Sequence, residues 1–184
     1  AVLAHLESLE GRSRQALHLT SDNVVITTGS QQMLHLLTSL LVDPGDIVIT
    51  AAPSYFVYTY VLQAIGARVR IVPADADGMQ TDALRALLDE CRRNGELDRV
   101  KIIYAVSYFD NPTGISIAAP RRRELVELAR EFSTDHRILV IEDAAYRELQ
   151  YDGEVLPSIK SFDPENEFVA LAMTFSKPFS AGMK

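Results

Sequence analysis

The sequence predicts an α/β fold: a mostly parallel sheet with helices on both faces. Three observations carry this. Short β-branched runs alternate with stretches whose apolar residues recur at helical spacing. The runs are nearly continuously apolar, as strands covered on both faces require. Strands separated by helices form βαβ units, which assemble into parallel sheets. With 184 residues, 47% hydrophobic and 23% charged, the chain can build one such domain around a real core.

The first predicted strand is NVVITT, residues 23–28. SQQMLHLLTSLLV follows as a helix, with Met33, Leu34, Leu37, Leu40 and Leu41 forming its apolar stripe. PGD breaks that helix, and IVITAA (47–52) is the second strand. An aromatic-rich helix runs from Tyr55 to Ile65 and closes at Gly66. RVRIVP (68–73) is the third strand. TDALRALLDECRRN is a helix with a Thr-Asp start and a stop at Gly95. VKIIYAV (100–106) is the fourth strand. APRRRELVELAREFS is a helix with Pro120 in its first turn, where no N–H is needed. RILVIED (137–143) and FVALAM (168–173) are the fifth and sixth strands. The longest irregular piece is 150–167, and no internal repeat is present.

Composition narrows the function. A net charge of -7, with no stripe of lysines and arginines among aromatics, argues against a nucleic-acid partner. No apolar run reaches the length of a membrane span, so no membrane partner is expected. AVLAHLESLEGR has no basic leader before a long apolar stretch and does not read as a secretory signal. It begins without methionine, as expected of a piece of a longer polypeptide. Cys91 is the only cysteine, which rules out an internal disulfide and fits the cytoplasm. His5, His18, His35 and His136 lack metal-ligand spacing, so no metal site is expected.

In parallel sheets, ligands sit beyond the carboxyl ends of the strands. After the first strand comes TTGSQQ, where Gly29 and Ser30 stand at a helix start. Exposed amides and a hydroxyl there make an anion site, though Ser30 acting as a plain N-cap explains the pattern equally well. The segment matches neither GxGxxG nor GxxxxGK[ST], which speaks against dinucleotides and nucleoside triphosphates. After the second strand comes APSY, whose Tyr55 is either a core aromatic or a cover for a planar ring. SYFDNPTG (107–114) is a good turn by chemistry alone and puts the Asn111 amide at the sheet's mouth. Glu142 and Asp143 end an apolar strand, and at least one is expected to meet a cation, because an unpaired buried carboxylate is costly. Tyr146 lies one turn beyond Asp143. After the sixth strand comes TFSKPFSAGMK, with Lys177 between Thr174, Ser176 and apolar Phe175, Pro178 and Phe179.

An anion site, an aromatic, an amide, a carboxylate, a phenol and a lysine at one sheet edge suit a phosphorylated pyridine aldehyde. The order of GSQQ, PSY, NPTG, DAAY and FSKPFSAGMK resembles the class I/II pyridoxal-phosphate-dependent aminotransferases of fold type I, over residues 20–184. The resemblance implies that Lys177 forms the Schiff base with pyridoxal 5'-phosphate and moves the proton. It implies that Asp143 pairs with the ring nitrogen, Tyr146 and Asn111 bond the phenolate oxygen, and Tyr55 stacks on the ring. Gly29, Ser30, Gln31, Thr174 and Ser176 surround the phosphate in this reading. Lys184 stands where the family usually has an arginine, and would act as a point charge without the bidentate fork. Cis bonds are expected at Ala52–Pro53 and Asn111–Pro112.

The resemblance further implies transfer of an amino group from an amino acid to a 2-oxo acid, by a cytoplasmic homodimer. A lyase, decarboxylase or synthase on the same cofactor, or the cofactor-binding half of a transcription regulator, would use the same motifs. The 184 residues match a single large domain cut short at both ends. The resemblance implies an N-terminal arm, a further strand and a small domain with its carboxylate-gripping arginine that these residues do not supply, so the chain alone is expected to be inactive.

Overall fold

The computed structural model describes residues 1–182. The chain runs through α1 (Val2–Glu10), α2 (Ser30–Leu41), β1 (Ile47–Ala52), α3 (Phe56–Ile65), β2 (Arg68–Asp75) and β3 (Gly78–Met79). It continues through α4 (Thr81–Arg93), β4 (Val100–Val106), α5 (Ala119–Phe132), β5 (Leu139–Asp143) and β6 (Val169–Ala172). The sheet order is β3-β2-β1-β4-β5-β6. All pairs are parallel except the short β2–β3 hairpin. No helix among the described residues is long and apolar enough to cross a membrane.

Alternation along the strands divides the core in two. Ile47, Ile49, Ile103 and Val140 pack with Leu84, Leu88, Leu125 and Phe132 of α4 and α5. Val48, Ile102, Tyr104 and Ile141 pack with Leu34 of α2 and Tyr58 and Leu62 of α3. Helices therefore cover both faces, and the α/β expectation holds.

Two expectations fail, and one helix is new. NVVITT is not a strand: Ser21–Asn23 is a 3-10 turn, and the backbone beyond it is extended but unpaired. Strand formation needs a ladder partner, and none of the described strands lies beside this segment. Val25 and Ile26 are consequently exposed. On α2, Leu34 and Leu37 face the core but Leu40 and Leu41 face solvent, so the buried stripe is narrower than the leucine pattern suggested. Finally, α1 has no counterpart in the sequence reading. It is fixed by side chains far away in sequence, chiefly a buried ion pair between Glu10 and Arg147.

Candidate active site

The carboxyl ends of the parallel strands open onto one cavity of about 250 Å³. Gly29, Ser30, Gln31, Tyr55, Asn111, Asp143, Tyr146, Thr174, Ser176 and Lys177 all line it. Thr28, Val106, Ala145 and Ala181 complete the wall. Lys184 lies outside the described residues.

One end of the cavity is a helix start. Gly29 occupies the N-cap of α2 with φ 77 and ψ 161, and no side chain caps the helix. Ser30 is therefore the first helical residue, not the cap, and the plain-cap explanation of TGS falls away. An uncapped first turn carries partial positive charge and amides without intrahelical partners. Gln31 donates from Nε2 to the Tyr55 hydroxyl at 3.1 Å, tying this end to the aromatic wall. Thr174 Oγ1 accepts the Ser176 amide at 3.2 Å, which sets the turn leading to Lys177.

The floor is Asp143, the last residue of β5. Period-two alternation puts Asp143 on the α2–α3 side and Glu142 on the α4–α5 side. Asp143 Oδ2 accepts the Tyr104 hydroxyl at 2.8 Å, and Oδ1 accepts the Ala145 amide at 3.1 Å. Burial pushes the Asp143 carboxyl above the usual range, against the Tyr104 and Ala145 hydrogen bonds and the charge of Lys177. Burial also raises the Tyr55 phenol, with Tyr146 and Asp143 adding to the effect. Tyr55 packs against the α2–α3 core and also lines the cavity.

Neutral donors engage both Glu142 and Asp143, with the charges of Arg122 and Lys177 acting on them from nearby. Among the described residues neither carboxylate forms a salt bridge. Glu142 accepts the amides of Ile159 and Lys160 at 2.9 and 2.8 Å, and its own burial raises its carboxyl. Lys177 is exposed, with Nζ 5.5 Å from the centre of the Tyr146 ring. Phe179 is exposed as well, so the apolar surroundings expected of Lys177 come down to half-buried Phe175 and Pro178. The mouth of the cavity is open on that side.

Asn111 is held from behind by a residue the sequence reading did not single out. The fully buried Arg122 of α5 donates to the carbonyls of Ser107 and Ile117, the two ends of the loop that carries Asn111, and to Pro157. Its guanidinium also lies 4.1 Å from the centre of the Tyr108 ring. The Ala52–Pro53 and Asn111–Pro112 bonds are both cis. Tyr104 was missed too. Its only signal is a phenol among aliphatic residues, on the same sheet face as Asp143.

Comparison with known proteins places this geometry. The family model described as "Aminotransferase class I and II" matches residues 3–182. Aromatic-amino-acid aminotransferase 1 of Thermococcus litoralis is 33% identical over 173 residues, covering 94% of this chain and 40% of that protein. An archaeal alanine:glyoxylate aminotransferase structure superposes with a TM-score of 0.87 at 35% identity, over 98% of this chain and 42% of that one. The Pyrococcus horikoshii kynurenine aminotransferase, solved with PMP and its substrates, gives 0.86 at 34%, with the same two coverages. The chain thus spans about two fifths of the length of the relatives it matches. This chain belongs to the class I and II aminotransferases.

Proposed function

We propose that these residues form the core of the cofactor-binding domain of a pyridoxal-phosphate-dependent enzyme that moves an amino group from an amino acid to a 2-oxo acid. The observation that carries the reading is the convergence of Asp143, Lys177 and the uncapped start of α2 on one cavity. The donor set fits the cofactor. A cationic helix start with Ser30, Gln31, Thr174 and Ser176 suits a phosphate dianion. A buried carboxylate suits a protonated ring nitrogen, and two donors, Asn111 and Tyr146, suit a phenolate oxygen.

Bound pyridoxal phosphate supplies an aldehyde for amine exchange and a ring that draws electrons from the substrate's α-carbon. The chain does the rest. Asp143 would hold a proton at the ring nitrogen. Asn111 and Tyr146 would orient the ring by its phenolate oxygen, and Tyr55 would cover one face. Lys177 would hold the cofactor through Nζ, and its amine would serve as the base for the substrate's α-proton. Nζ lies 5.5 Å from the centre of the Tyr146 ring, which supports this division of roles.

In this reading the 184 residues supply one large domain of the enzyme. The family resemblance supports a cytoplasmic homodimer. The net charge of -7 supports small-molecule substrates rather than nucleic acid. The test is covalent. Full-length protein incubated with pyridoxal phosphate, reduced with borohydride and mapped by peptide should carry the label on Lys177. Label on other lysines only overturns the assignment.

A further inference from the structure

Asp143 faces the cavity with both oxygens already engaged by the protein. Ala145 N–H takes Oδ1 at 3.1 Å and the Tyr104 hydroxyl takes Oδ2 at 2.8 Å. The two donors come from different places: one from the turn just past β5, the other from the neighbouring strand β4. A carboxylate has about four acceptor positions. Fixing one on each oxygen sets the plane of the group and the direction of the lone pairs left over.

Tyr104 is itself packed in. Its side chain is buried, and its ring meets that of Tyr58 at a tilt of 42° with centroids 4.3 Å apart. The Tyr58 hydroxyl shares a hydrogen bond of 2.8 Å with Thr38 Oγ1, which donates to the Leu34 carbonyl at 2.7 Å. Thr38 and Leu34 belong to α2, the helix whose start forms the anion-binding end of the cavity. A buried line of side chains therefore connects the floor of the site to the helix at its other end. Burial and the adjacent Asp143 push the Tyr104 phenol well above its usual value, so it remains a donor throughout the neutral range.

We propose that Tyr104 is a positioning residue for the cofactor: its hydroxyl fixes the Asp143 carboxylate so that the remaining lone pairs point at a protonated ring nitrogen. The inference rests on the reading of the cavity as a pyridoxal phosphate site. Tyr104 does not line that cavity and acts only through Asp143. A carboxylate without this donor has to be reoriented each time the ring binds, and preorganisation is lost.

The test is Tyr104→Phe in the full-length protein, because phenylalanine keeps the ring packed against Tyr58 and removes only the hydroxyl. Binding is measured for pyridoxal phosphate and for its 1-deaza analogue, in which carbon replaces the ring nitrogen. The expected result is a loss of at least about tenfold for pyridoxal phosphate, the size of a lost hydrogen bond to a charged group, with the analogue's affinity nearly unchanged. Equal weakening for both ligands would mean a general structural role and would overturn the inference. No weakening for either would overturn it as well. Binding of neither ligand by the unsubstituted protein would sink the reading of the cavity itself, and this inference with it.

Discussion

Glu10, at the end of α1, and Arg147, the residue after Tyr146, form an ion pair at 2.5 Å with both side chains 4% exposed. Arg147 also donates to the Leu9 carbonyl, and His5 of α1 stands 3.0 Å from Glu148 and against the ring of Phe175. One helix thus braces the segment behind Tyr146 and the segment before Lys177. Removing one partner leaves a buried charge uncompensated, which costs about 3–5 kcal/mol. Glu10→Ala is expected to lower unfolding stability by that amount in urea titration. The double variant Glu10→Met/Arg147→Met should recover much of the loss. If Glu10→Ala unfolds like the unsubstituted protein, α1 is not anchored through this pair.

Asp143→Ala should fold, since the side chain lies at a cavity wall rather than inside packed apolar residues. With no anion to hold the ring nitrogen's proton, transamination by the full-length protein is expected to fall by about 10²-fold or more. An undiminished rate would show that Asp143 has been given the wrong role.

The pH dependence has a definite sign. Burial raises the folded-state value of Asp143 above its unfolded value. Between those two values the folded protein holds more protons than the unfolded chain, so stability falls as pH rises. Asp143→Asn keeps a neutral side chain and removes the titration. The stability of the cofactor-free protein relative to Asp143→Asn is therefore expected to increase as pH drops through the folded-state value. Urea titrations at several pH values, from neutral downward, measure the difference. A difference that shrinks as pH drops would contradict the burial argument.

Gly29 adopts φ 77 and ψ 161, a region essentially restricted to glycine. An added Cβ meets nothing within 4 Å, so any penalty comes from the backbone alone. Gly29→Ala is expected to cost about 1–3 kcal/mol, or to turn the peptide and misdirect the first amides of α2. Either outcome weakens pyridoxal phosphate binding, which titration calorimetry would show. Unchanged stability and unchanged affinity together would remove Gly29 from the account.

How much of this was legible in the sequence depends on whether the cause is local. Ile47–Ala52 reads as a strand because PGD precedes it and Pro-Ser follows, and it is one. NVVITT carries the same local signal and fails, because its neighbour in a sheet is not a property of those six residues. Asn111, Asp143 and Lys177 were readable because the segments after strands carry the polar residues of an α/β site. Tyr104 and Arg122 were not. A phenol inside an apolar strand and an arginine inside an amphipathic helix look like core and surface until the fold brings Asp143 and the Ser107 carbonyl to them. Glu10 and Arg147, 137 positions apart, are the extreme case.

The packed pair of Tyr58 and Tyr104 also has an optical consequence. The chain contains seven tyrosines and no tryptophan, so tyrosine dominates its ultraviolet emission. Tyr55 and Tyr146 line the cavity, and Tyr104 sits directly behind its floor. A chromophore entering that space drains excitation from several emitters at once. Dimming of the native fluorescence is then the expected label-free sign of an occupied site.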